Sequence, residues 1–288
     1  MNIDRILQSI DKIPAFPVTI QRVSEVMKDE DYSITDLVSV IEYDQAITAN
    51  ILRVSNSVYF GARRKIASLR EALVFIGRNN IVRIVNMAGI SRCYRDVEGY
   101  ALEGARLWEH SVGVAMMSRI LLEKIYGRKD DGLFTAGLLH DIGKLILGEF
   151  VNESFQEVMD LVSNERYSFL EAEEKVLGIN HAEVGGRIAS LWNFPGVIVD
   201  AITYHHRPDL MPEGDDTSAW LIYLADQACM MMGIGGSGAD DLAYRGLKEV
   251  MDKFKIHHKE FEESLVLLLG DLENARELVD LVKKHNQL

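Results

Sequence analysis

Cysteine is scarce in this chain of 288 residues, with only Cys93 and Cys229 present. Two are too few for a disulfide framework or a cysteine zinc cage, and the apolar, helix-like surroundings of both predict reduced core residues. Positive charge is also in short supply. Lys and Arg number 31 against 44 Asp and Glu, a formal net charge of −13. That balance argues against broad nucleic-acid binding, which needs cations to neutralise phosphates. No apolar run reaches the roughly 18 residues that span a bilayer. The opening MNIDRILQSIDKIP lacks the basic end and apolar stretch of a secretion signal. A cytoplasmic protein without a membrane anchor is expected. Strand signals bounded by tight turns are hard to find, and no internal repeat is detectable.

What the chain has is helical periodicity over nearly its whole length and 48% hydrophobic residues, ample for a real core. An all-α fold follows, and the charge splits it in two. Residues 1–105 carry 13 basic and 13 acidic groups, leaving 18 and 31 in residues 106–288. Two helical lobes, 1–105 and 106–288, are therefore expected. Ser33 reads as an N-cap, Ser68 with Glu71 as a capping box, and Gly77 as a helix stop. Further helices are predicted at 17–28, 45–55, 79–92, 105–126, 132–148, 152–164, 168–176, 180–191, 195–205, 217–231, 240–252, 258–268 and 271–284. MPEGDD (211–216) and GIGGSGADD (233–241) read as connections. The second lacks the preceding strand and the Lys-Ser/Thr that a nucleotide loop requires. Arg63, Arg64 and Lys65 form the one compact basic cluster, a solvated turn or a surface for an anionic partner.

The segment GLLHDIGK (137–144) places His140, Asp141 and Lys144 within an apolar helical pattern, where ionised groups need partners or a metal. Candidate partners stand in similar surroundings: His110 in LWEHSVG, His181 in INHAEVG, His205 and His206 in ITYHHRP, and Asp226 in IYLADQAC. Imidazole with carboxylate suits iron, manganese, nickel or zinc, and facing helices of a bundle commonly build such sites. One or two divalent ions are expected. Asp141 would bridge them, with His110 and Asp226 closing the first and His181, His205 and His206 surrounding the second. Lys144, one turn past His140, is placed to meet an anionic ligand such as a nucleotide or phosphate. Each residue also has a plainer reading. His110 or His181 alone suits a hydrogen-bonded core histidine, and His205 with His206 suits cationic complements to a helix C-terminus.

These residues resemble the HD superfamily of metal-dependent phosphohydrolases, whose pattern is a His, a His-Asp pair and a distant Asp, here His110, His140, Asp141 and Asp226. His181, His205 and His206 look like the two-metal arrangement of HD-GYP phosphodiesterases. Two departures set the chain apart: RPDLMPEGDD follows His206 without a Gly-Tyr-Pro signature, and Arg106 stands one turn before His110, where some relatives place a Glu ligand. Residues 13–85 are similar throughout to the HDOD domain, an HD-related output domain, in IPAFP, DQAITANILRVSNSVYFG and IASLREALVFIG. The resemblance implies an all-helical, bilobal protein of bacterial signalling with an HD-like C-terminal lobe and signalling-protein partners. The leading expectation is a signalling module with a metal site. The alternatives are an active phosphohydrolase of nucleotides or cyclic nucleotides, with Asp141 and Lys144 catalytic, and a metal-free adaptor. Asp44, Asn56 and Ser57 have structural readings as helix-end residues.

Overall fold

A computed structural model of the protein describes residues 3–10, 18–29, 31–57, 60–93, 104–128, 130–165, 167–212, 215–235 and 247–283. Among them there is no strand, and sixteen α-helices carry the architecture. The chain divides into two compact units, one of residues 15–93 with 270–288 and one of residues 1–14 with 94–269.

The smaller unit contains α2 (Val18–Val26), α3 (Ile34–Ile41), α4 (Gln45–Ser55), α5 (Leu69–Ile76) and α6 (Arg78–Ile90). Apolar residues at helical spacing put Ile20, Leu37, Ile41, Ile47, Ile51, Leu73 and Ile81 in its core, each burial contributing about 1.5–3 kcal/mol. Ser33 caps α3 in a full capping box with Asp36. Asp44 caps α4 by accepting from the Ile47 amide at 3.0 Å. Asn56 closes α4 by donating to Leu52 O and tying down both backbone groups of Ile66. Ser57 donates to Val54 O. Ser68 caps α5, but Glu71 pairs with Arg64 at 2.7 Å, so only half of the expected box forms. Gly77 ends α5 at φ +80, a conformation that suits glycine. IPAFP lies outside the described residues.

The larger unit is built around α7 (Gly104–Tyr126), buried on most of its circumference and packed on α8 (Asp131–Leu139) and α14 (Thr217–Met231). α9 (Lys144–Glu153), α10 (Phe155–Glu165), α11 (Phe169–Leu177), α12 (His181–Leu191) and α13 (Gly196–Thr203) surround them, followed by α15 (Leu247–Phe254) and, up to residue 269, by α16 (His258–Lys283). α1 (Ile3–Ile10) packs on α9 and α12 and so belongs to this unit.

Two of the predicted helical stretches differ from expectation. The helix predicted over 132–148 is interrupted at His140–Gly143. α16 runs on through Gly270 because that glycine keeps helical geometry. The first part of the helix predicted over 240–252 lies outside the described residues. Cys229 is buried as expected, whereas Cys93 is only half-buried. No helix among the described residues is long and apolar enough to cross a membrane.

Candidate metal centre

The interruption between α8 and α9 builds the centre. The amides of Ile142, Lys144, Leu145 and Ile146 bond three residues back, Ile142 to Leu139 at 2.9 Å and Lys144 to Asp141 at 3.0 Å, so the chain tightens and turns. Gly143 makes the turn possible. A side chain there would strike the carbonyl of His181, and its Cβ would lie 2.8 Å from the Gly185 amide. The turn is thereby pressed onto the first turns of α12, which delivers His181 to Asp141.

Breaking a helix leaves carbonyls in its last turn without partners. His140, just past α8, takes one of them, its Nδ1–H donating to Gly137 O at 2.8 Å. His205 does the same past α13, to Ile202 O at 2.7 Å. His110, within α7, donates Nδ1–H to Ile234 O at 3.0 Å. A carbonyl only accepts, so in a neutral ring at His140 or His205 the proton sits on Nδ1 and Nε2 is left as a bare donor atom, whereas His110 Nε2 is hydrogen-bonded to Asp226. Gly233 and Gly235, both at φ +67, turn the chain after α14 so that Ile234 O meets His110.

All seven expected ligands meet around Asp141. Its Oδ2 lies 3.3 Å from His140 Nε2 and 3.9 Å from His110 Nε2, while its Oδ1 lies 3.4 Å from His181 Nε2 and 3.8 Å from His205 Nε2. Two overlapping groups result, His110–His140–Asp141 and Asp141–His181–His205–His206, each with ligand atoms within 4.8 Å of one another. Asp226 Oδ1 is 2.9 Å from His110 Nε2 and 4.0 Å from His140, and its Oδ2 is 4.0 Å from His206 Nδ1. Six of the seven are buried and His206 is half-buried.

Lys144 is also buried, and its Nζ donates to Asp141 Oδ2 at 2.9 Å. Sequence reasoning missed Glu173. It lies wholly buried on the inner face of α11 and accepts from the amide and the Nδ1–H of His181, at 2.9 and 2.8 Å. The available signal was an acid on an apolar helical face eight residues before His181. The Ile234 carbonyl was missed too, since GIGGSGADD reads as a plain linker.

The charges divide. Burial opposes ionisation of Asp141, but His140, Lys144 and His181 hold its carboxyl well below the ordinary range. Burial opposes Asp226 likewise, and the hydrogen bond and charge of His110 outweigh it. Burial works against protonation of His110 and His181, yet Asp226 raises the first and Glu173 the second. Burial and then the charge of His140 push His205 down to about 3, and burial with His205 and His181 drives His206 well below its usual value. Neutral His205 and His206 do not act as cationic complements to the end of α13.

Within the cluster, four buried atoms have no hydrogen-bond partner among the described residues: His140 Nε2, His205 Nε2, Asp141 Oδ1 and Asp226 Oδ2. An unsatisfied buried polar atom costs about 1–3 kcal/mol, and here four of them face one another around Asp141. Imidazole nitrogens with carboxylate oxygens fit a divalent transition-metal ion, which accepts just such lone pairs.

The family model for the HDOD domain matches residues 13–208, more than half of the sequence. The chain belongs to the HDOD family. The matched range takes in His110, His140, Asp141, His181, His205 and His206, and ends before Asp226. Among solved structures, an HDOD domain protein of unknown function from Geobacter sulfurreducens is 25% identical, with a TM-score of 0.73 over 97% of this chain and 95% of its own. A Shewanella amazonensis protein named "Putative phosphohydrolase" is 22% identical, with a TM-score of 0.72 over 96% and 97%, a likeness of fold. An uncharacterized protein of Treponema pallidum is 23% identical over 212 residues, 72% of this chain. The aligned region spans 40% of that protein's length.

Proposed function

We propose that this HDOD protein is a signalling module whose larger unit holds one or two divalent transition-metal ions. The observation that carries the reading is the set of four partnerless buried donor atoms in the cluster around Asp141. His110, His140, Asp141 and Asp226 would hold one ion and Asp141, His181, His205 and His206 the other, drawn from iron, manganese, nickel and zinc. Glu173 fixes the ring of His181, as carboxylates commonly do for metal-binding histidines. The smaller unit offers signalling partners a groove lined by Arg63, Arg64, Val74 and Phe75.

The second reading is a phosphohydrolase of nucleotides or cyclic nucleotides, favoured by a buried cation, Lys144, at the carboxylate shared by both groups. Bound ions would supply Lewis-acid polarisation of a phosphoryl oxygen. Of the chain's own groups, Asp141 is kept ionised and oriented by Lys144, whose ammonium adds positive charge where a phosphate would approach. Neutral His205 and His206 present lone pairs without bringing further positive charge.

Metal analysis of untagged protein, expressed with supplemented iron or manganese, tests the first reading. Bound metal that disappears in Asp141→Ala is the expected result. A metal-free wild type, or a variant with unchanged metal content, defeats it. Phosphate or linear dinucleotide released from a nucleotide panel, and abolished in the same variant, distinguishes the enzyme. A fully metal-loaded protein that turns nothing over is the module alone.

A further inference from the structure

His206 belongs to two places at once. Its Nε2 lies 2.9 Å from His181 Nε2 inside the cluster, while its half-buried ring helps line a cavity of about 420 Å³ at the surface of the larger unit. The cavity wall is made by one stripe of α12, Glu183, Gly186, Arg187 and Ser190, at the i, i+3, i+4, i+7 spacing of a single helical face. Opposite stand Tyr204 and Arg207 from the turn after α13, with apolar Leu170 and Val199 alongside.

The two arginines differ in commitment. Arg207 is clamped by Glu174 through two bonds of 3.0 Å, and Asn180, the N-cap of α12, donates to the same carboxylate at 2.7 Å. That pair is fixed and neutral. Among the described residues the exposed side chain of Arg187 makes no hydrogen bond or ion pair, and its charge acts on Glu183, where it opposes the upward push of burial and Glu174. A guanidinium with free donors at the mouth of a part-apolar cavity suits phosphate, which it grips with two parallel bonds. The volume exceeds what orthophosphate needs and falls in the range of small-molecule sites.

We infer that this cavity seats a phosphorylated organic ligand, with Arg187 gripping its phosphate outside the metal cluster and the organic body against Tyr204, Leu170 and Val199. His206, shared by cavity and cluster, would place the far end of such a ligand beside the ions. This deepens the phosphohydrolase reading by naming where the rest of the substrate lies, and it rests on that reading only for the shared wall.

The test uses full-length, chelator-treated protein, so that metal does not contribute, and titrates it with adenosine 5′-monophosphate, adenosine and inorganic phosphate by calorimetry. The nucleotide should bind more tightly than either fragment. Arg187→Ala should weaken it about tenfold, as loss of a charge-assisted hydrogen bond does, with Arg187→Lys restoring part. Metal content of the untreated proteins should be the same in all three. No nucleotide binding by the wild type, equal binding of adenosine, or unchanged affinity in Arg187→Ala would overturn the inference. A wild type that purifies without metal defeats the metal reading alone, because the titration is made without metal.

Discussion

Lys144 donates to Asp141 from three residues further along the chain, Nζ to Oδ2 at 2.9 Å, and leaves Oδ1 of the same carboxylate with no hydrogen-bond partner. One oxygen is therefore answered by a fixed cation and the other turned toward His181 and His205. A buried carboxylate with one bare oxygen is expensive to keep. A cation shared between the two ligand groups would answer it, which makes Asp141 the hinge of the metal reading.

Glu173→Gln is the sharpest probe of the support beneath that centre. The amide keeps an oxygen for the His181 backbone and ring, but it removes the charge that holds the His181 proton. Metal affinity is expected to fall roughly 10–100-fold, the usual effect of losing such a partner, with little change in the melting temperature of the metal-free protein. Equal affinities in a competition assay against a fluorescent chelator would show that Glu173 serves packing alone.

Much of this was legible in the sequence. Helical periodicity and caps at Ser33 and Asp44 gave the all-helical fold, and charged residues in apolar segments singled out the side chains that gather around Asp141, because burial of such groups demands a partner. What stayed hidden is tertiary. The break at His140–Gly143 lies inside a continuous helical pattern of apolar residues in the sequence, and the chain bends there because Gly143 meets α12, a contact with no local signature. Glu173 and the Ile234 carbonyl act on residues eight and 124 positions away, so spacing carries no trace of their roles.

Gly143→Ala tests that bend. The added methyl has no room against the His181 carbonyl. Overpacking of this kind costs about 1–3 kcal/mol, a loss of roughly 2–5 °C in melting temperature for a chain of this size, and metal affinity should fall with it. Gly270→Ala is the contrasting change, since nothing lies within 4 Å of a Cβ there and α16 is helical through it. It should stabilise by about 0.5–1 kcal/mol. Thermal melts of the two variants are expected to move in opposite directions.

The metal-free protein should be most stable near pH 6.5, the ordinary histidine value. His205 and His206 have lowered values in the fold, so as pH drops below 6.5 the unfolded chain takes up protons that the fold refuses, and stability falls. For His205, held at about 3, the loss by pH 5 is about 2 kcal/mol. His110 and His181 have raised values, so their contribution is complete below 6.5 and disappears as pH rises through the folded values. Denaturant titrations between about pH 5 and pH 8 should trace a maximum. A monotonic profile would mean that the four rings do not have these opposed environments.

The same two raised histidines make metal uptake a proton-releasing step. In the metal-free fold His110 donates both ring protons, to Ile234 O and toward Asp226 Oδ1, and His181 likewise serves Glu173 and His206. An ion bound at Nε2 of either ring must displace the proton there, while Nδ1–H remains on its carbonyl or carboxylate. Filling both groups near pH 6.5 should therefore release between about one and two protons per chain, since both rings are more than half protonated there, and apparent affinity should weaken as pH falls. Calorimetry in buffers of different ionisation enthalpy counts the protons directly. Release should shrink in Glu173→Gln, because His181 without its carboxylate holds its second proton less firmly. A count independent of Glu173 would place the displaced protons on other groups and remove His181 from the ligand set.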